Sequence, residues 1–202
     1  EFRRVLFRSI EEYIPSVSKY IENMQTVLNA DETKDVTIYH YFTKTKQYIT
    51  NIKNGYKLGQ TEIDWGMWNE IRIISQKIGY NDIANGQKGG IGTIDAVKSL
   101  GKEHGDPRMP VVNICFFDVL KWCNALSEIQ GLKPCYYIDL TNDVVFKNGG
   151  AECTIYFDTS SDGYRLPDVG EFVYASKRND LFQLYPWGDR PNPDKKMANF
   201  FD

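Results

Sequence analysis

Apolar residues recur at two different spacings along this chain, and the changes between them mark out its elements. Ile10, Ile14, Val17, Ile21, Met24 and Leu28 stand three or four apart. That is the period of one helical face, so residues 10–29 are expected to be helical, with Pro15 weakening the first turn. Asp31 to Asp35 is a polar break. From Val36 to Leu58 the chain is rich in β-branched and aromatic residues around an Asn54-Gly55 turn, which predicts strands.

Three short helices with readable ends follow. Asp64 is placed to cap the first, which puts Met67, Trp68, Ile71, Ile74 and Ile78 on one face and stops at Gly79. The second runs from about Phe116 to Gln130, buries Val119, Leu120, Cys123 and Leu126, and ends at Gly131. Its third position is Asp118, whose carboxylate can accept from unpaired amides of the first turn. The third starts after Pro167, where Asp168 and Glu171 have the spacing of a reciprocal cap. Lys177 and Arg178 complement the far end of its dipole.

Between these elements lie stretches of turn residues. Residues 81–108 are glycine-rich with little periodicity. Residues 142–163 alternate weakly, with Cys153, Ile155 and Phe157 expected on one side before a Ser160-Ser161-Asp162-Gly163 turn. Residues 189–197 form another polar loop containing proline. Short helices, short strands and long loops packed around many rings predict an irregular α+β fold with small antiparallel sheets.

Composition narrows the function classes. No apolar run approaches the roughly 20 residues of a membrane-spanning helix. The formal charge is −3, which leaves no basic surplus to neutralise phosphates and argues against a nucleic-acid partner. The first nine residues, EFRRVLFRS, hold three of the eight arginines. Without those three cations and one acid the charge is −5. This segment reads as a non-native leader left by cloning, or else as a natural basic arm.

Chemistry-bearing residues are sparse. Cys115, Cys123, Cys135 and Cys153 form no C-x-x-C pair, so they read as buried free thiols, or as a thin disulfide framework. His40 and His104 lie far apart, and neither has a partner at ligand spacing. Gln87 to Gly92 lacks the lysine and serine or threonine of a phosphate cradle and reads as a surface loop. Asp158, Asp162 and Asp168 lack the spacing and closing glutamate of a calcium loop, so a solvated turn is the simpler reading.

Longer segments are more specific. A Tyr56-Lys57-Leu58-Gly59 strand precedes Thr61-Glu62-Ile63, and Pro110-Val111-Val112-Asn113-Ile114 leads into a helix with Cys123-Asn124. Gly163-Tyr164-Arg165-Leu166-Pro167 opens another helix, and Tyr185-Pro186-Trp187-Gly188 precedes Ala198-Asn199-Phe200. In this order the segments resemble the formylglycine-generating enzyme, or sulfatase-modifying factor, family over about Lys46 to Asp202.

The resemblance implies a loop-rich α+β fold of the C-type-lectin-like kind, a bacterial parent and an extracytoplasmic setting. It divides the chain into a leader (1–9), an N-terminal helix and strand region (10–45) and a partial domain (46–202). Family enzymes use a copper-binding cysteine pair in a segment expected beyond residue 202, and none of the four cysteines here matches it by position. No catalytic residue is therefore assigned. The sulfoxide-synthase branch needs an iron-binding histidine cluster, which His40 and His104 cannot supply. The expectation is a non-catalytic module binding a protein, peptide or glycan, the alternative being a piece of a copper-dependent oxidase that converts a protein cysteine to formylglycine. The resemblance also implies that Asn199 and the carbonyl of Phe200 are half of a calcium site.

Overall fold

The computed structural model describes residues 24–29, 32, 34–39, 46–52, 55–89 and 106–176. They fall into two compact units, one built from residues 61–166 and one that joins residues 24–60 to the chain after Leu166.

The first unit is organised by two helices, α1 (Trp65–Ser75) and α2 (Phe116–Ile129). Helix α1 starts where expected: Asp64 Oδ1 accepts from the Met67 amide at 2.7 Å. Satisfying that unpaired donor contributes about 1 kcal/mol. The helix tightens into a 3₁₀ turn over Gln76–Ile78 and stops at Gly79, whose φ of +97° only glycine adopts without strain. In α2 the Asp118 carboxylate reaches back to the Cys115 amide at 3.1 Å.

The two helices meet through their tryptophans. The Trp68 and Trp122 rings stack 5.5 Å apart and nearly parallel. Trp122 Nε1 donates to the Trp68 carbonyl and Trp68 Nε1 to that of Ala84, so neither buried N–H lacks a partner. Ile71, Ile74, Leu120, Leu126, Ile129 and Phe146 fill the space around them. Each buried aliphatic side chain there contributes roughly 1.5–3 kcal/mol.

Two small antiparallel ribbons flank the helices. Strand β5 (Gln87–Lys88) pairs with β6 (Val111–Val112), so part of the expected loop at Gln87 is a strand. Strand β7 (Tyr136–Tyr137) pairs with β8 (Tyr156–Phe157), with Tyr136 opposite Phe157.

The second unit holds four further strands. Strand β1 (Met24–Leu28) pairs with β4 (Tyr56–Gly59), Met24 opposite Gly59, with a register shift between Thr26 and Leu28. Strand β2 (Lys34–Tyr39) pairs with β3 (Lys46–Ile52), Lys34 opposite Ile52. The expected strands of 36–58 are present. The helix expected to run to residue 29 is corrected at its end, where Met24–Leu28 is a strand. Its apolar residues gave a helical period, but pairing with β4 satisfies the backbone across chains of residues that periodicity does not see. Residues 10–23 of that expected helix lie outside the described residues.

Helix α3 (Val169–Ser176) packs on the β2–β3 hairpin. Its reciprocal cap is formed: Asp168 Oδ1 accepts from the Glu171 amide at 2.8 Å, and Glu171 Oε2 from the Asp168 amide at 2.9 Å. Tyr56 ties β4 to this helix by donating to the Glu171 carbonyl at 2.7 Å. Lys177 and Arg178 lie outside the described residues.

Candidate functional site

One side chain aligns most of the β7 region. Asn124, fully buried on α2, donates from Nδ2 to the carbonyls of Tyr136 and Phe146 at 2.7 and 3.1 Å. Its Oδ1 accepts from the amides of Cys135 and Tyr136, both at 3.1 Å. A primary amide has just these two donors and an acceptor oxygen with two lone pairs, so its capacity is filled. One turn on, Ser127 Oγ donates to the Cys123 carbonyl and accepts from the Tyr164 amide, each at 2.8 Å. Helix α2 thus holds both β7 and the Gly163 turn.

The surface that this scaffold presents is apolar. Beyond β7 the chain turns through Ile138 to Val144, closed by the Ile138 amide donating to the Val144 carbonyl at 3.0 Å. Asp139 fastens the turn, accepting from the amides of Val144 (2.8 Å) and Asp143 (3.1 Å) and from the Thr141 hydroxyl. The Thr141 hydroxyl foremost, then those amides, hold its carboxyl below the usual range. Asn142 takes the left-handed conformation, φ +58°, that asparagine tolerates. Leu140 at the tip is 80% exposed, with Ile138 and Val144 also exposed beside it.

Tyr136 stands directly opposite Phe157 across the β7–β8 pair, so their side chains share one face. The Tyr136 and Phe157 rings lie 5.8 Å apart, and the Arg165 guanidinium sits 6.0 Å over Phe157. Phe157 was expected on the same side as Cys153 and Ile155. Those two are partly buried against the core, but Phe157 is exposed.

The acidic residues near the Ser160 turn have local work. Asp158 accepts from Lys133 Nζ, the Ser160 amide and the Ser160 hydroxyl, and these bonds hold its carboxyl well below the usual range. Asp162 accepts from the Lys133 amide at 2.8 Å. Asp168 is the α3 cap. Asp162 and Asp168 are exposed, but Asp158 is buried, so the solvated-turn expectation is corrected for Asp158, whose carboxylate is held by Lys133 and Ser160.

All four cysteines are free, and their burial differs. Cys123 and Cys135 are buried as expected, and burial pushes the Cys123 thiol up to about 12. Cys115 is exposed at the start of α2 and Cys153 is half-buried, so the expectation of buried thiols is corrected for these two. Cys115 occupies a cap position, where the chain has just left the core. Among the described residues no three His, Cys, Asp or Glu side chains converge as a metal site, and no helix is long and apolar enough to cross a membrane. Asn199, Phe200, His40 and His104 lie outside the described residues.

Sequence reasoning quoted Asn124 within a family motif but gave it no role, and it did not single out the Ile138–Val144 turn. The second had a signal: an aspartate and an asparagine bracketed by apolar residues, the composition of a side-chain-fastened turn.

Three short capped helices, two-stranded antiparallel ribbons and long fastened loops define a loop-rich α+β domain of the formylglycine-generating enzyme type. The chain belongs to the sulfatase-modifying factor enzyme 1-like domain family, whose model matches residues 30–202. It is similar to the chaperone protein LppX of Paenibacillus barcinonensis, 32% identical over 89 residues, which are 43% of this chain and 32% of that protein. The chain thus spans only about a third of the curated relative it matches.

Among solved structures it resembles CarF, with a TM-score of 0.58 at 20% identity over 83% of this chain and 64% of that one. It also resembles Treponema denticola variable protein 1, with a TM-score of 0.50 at 19% identity over 76% of this chain and 52% of that one. At these identities the likeness is one of fold.

Proposed function

We propose that this domain is a non-catalytic binding module that docks a polypeptide through the apolar face formed by Ile138, Leu140, Val144 and Phe157. The observation that carries the reading is Leu140, 80% exposed at the tip of a turn that Asp139 fastens with three hydrogen bonds. A leucine held in water by a rigid turn gains from burial only when a partner covers it, and apolar neighbours enlarge the area such a partner removes from water. The relative named as a chaperone supports the same class of ligand.

The alternative is the copper-dependent oxidase of the formylglycine type, which family membership favours. Two measurements separate the readings. A fluorescent, carboxymethylated, permanently unfolded polypeptide is titrated into the protein and into Leu140→Asp. Binding that weakens about tenfold or more in the variant supports docking; no binding, or equal binding, overturns it. Copper-dependent aldehyde formation on a cysteine peptide would establish the oxidase.

The calcium site belongs to this proposal too. Asn199 Oδ1 and the Phe200 carbonyl would supply two of the 6–8 oxygens that calcium takes, and two neutral oxygens do not hold the ion against water. In the longest form of the protein, calorimetry should find calcium binding that Asn199→Ala removes. Unchanged affinity in the variant discards the assignment.

A further inference from the structure

Lys121 lies on α2 with its side chain 3% exposed. Its ammonium faces four oxygens: Asp82 Oδ1 at 2.8 Å, the Gly149 carbonyl at 3.0 Å, the Asp82 carbonyl at 3.3 Å and Asp118 Oδ1 at 3.5 Å. The Phe146 ring, 5.9 Å away, covers another side. The oxygens are themselves held in place. Asp82 Oδ2 accepts from the Gly149 amide at 2.6 Å, and Asp118 accepts from the amides of Ala84 at 3.2 Å and Cys115 at 3.1 Å.

Backbone carbonyls and carboxylates converging from three chain segments are the donor set of a hard cation. An ammonium offers three N–H donors and a single charge. Two carboxylates around it leave the cage with one formal negative charge in excess. Glu152 is close enough to feel both Asp82 and Lys121, and it adds to the negative field. The cage therefore offers four of the 6–8 oxygens of a calcium site, with water left to supply the rest, while its occupant is covalently tethered and needs no ion from solution.

We propose that Lys121 is a built-in cation filling a metal-type oxygen cage between the Asp82 and Gly149 loops, and that removing its side chain opens the cage to calcium. The test is the unfolding midpoint of Lys121→Ala, of Lys121→Ala with Asp82→Asn, and of the unmodified protein, each with sodium, calcium or propylammonium chloride at matched ionic strength. The carbons and nitrogen of propylammonium match the atoms that the substitution removes.

Removing a buried ammonium whose nearest carboxylate, Asp82, is part-exposed should lower the Lys121→Ala midpoint by roughly 5–10 °C. Calcium and propylammonium should each restore roughly half of that loss, sodium should not, and the unmodified protein and the double variant should not respond. If Lys121→Ala fails to fold in sodium, refolding in calcium or propylammonium should recover it. A loss that neither cation reverses, or a calcium effect equal to that in the unmodified protein, overturns the proposal. All three proteins carry Asn199, so calcium bound there cancels in the comparison.

Discussion

Asn124 and Tyr136 are joined by two hydrogen bonds in opposite senses, the side-chain amide donating to the Tyr136 carbonyl at 2.7 Å and its oxygen accepting from the Tyr136 amide at 3.1 Å. On that side β7 makes only an isolated bridge, Tyr137 opposite Val145, and the helix side chain adds a strand-like exchange beside it. Backbone groups of Cys135 and Phe146 complete the set.

Asn124→Ala should therefore be among the most costly substitutions in the domain. It strands the amides of Cys135 and Tyr136 and the Phe146 carbonyl, while the Tyr136 carbonyl keeps the Phe146 amide, and the loss should be on the order of 3–5 kcal/mol by chemical denaturation. Asn124→Asp keeps the shape but cannot donate when ionised, so it should rescue little. A loss below about 1 kcal/mol would mean that water replaces the amide.

Two glycines should answer differently to alanine. A Cβ on Gly163 would stand 2.2 Å from the Lys133 carbonyl and 2.6 Å from Ser127 Oγ, so Gly163→Ala must break the turn and should cost at least about 3 kcal/mol. Gly131 has φ +72° with nothing within 4 Å of its would-be Cβ, so only backbone strain opposes Gly131→Ala, about 1–2 kcal/mol. Denaturant midpoints of the two variants check the order.

Thiol labelling should be ordered by exposure. Cys115 should react first with an alkylating reagent under native conditions and Cys153 more slowly. Cys123, buried and with its thiol pushed up to about 12, should react only on unfolding, as should Cys135. Mass mapping of labelled peptides over time reads this directly. Early label on Cys123 would place it at the surface and contradict the core described above.

Acid should weaken the Lys133–Asp158 link in a defined direction. The Asp158 carboxyl titrates below its unfolded value, about 3.9, because Lys133 and Ser160 bond the charged form. Its contribution is therefore complete above that value and is lost as pH falls through the lower folded one. The unfolding midpoint of Asp158→Asn should depend less on pH than that of the unmodified protein below about pH 4. Parallel curves would show that other carboxylates carry the acid response.

Local signals in the chain determined much of this protein. Asp64, Asp118 and the Asp168–Glu171 pair mark helix starts because capping depends on residues three apart. Gly79 marks a stop because the left-handed conformation strains every side chain but its own. Met67, Trp68, Ile71 and Ile74 face the core because a helical period is visible without knowing the partner. The order of five weak motifs was enough to place the family. What needed the tertiary structure was pairing across sequence distance. Met24 looks helical by spacing and is a strand because β4 arrives beside it. Phe157 alternates with Cys153 and Ile155, yet those two pack on the core and Phe157 is exposed. Lys121 reads as one more charge on a helix surface. It is buried because Asp82 and Gly149, far from it in the chain, bring the oxygens that replace its water.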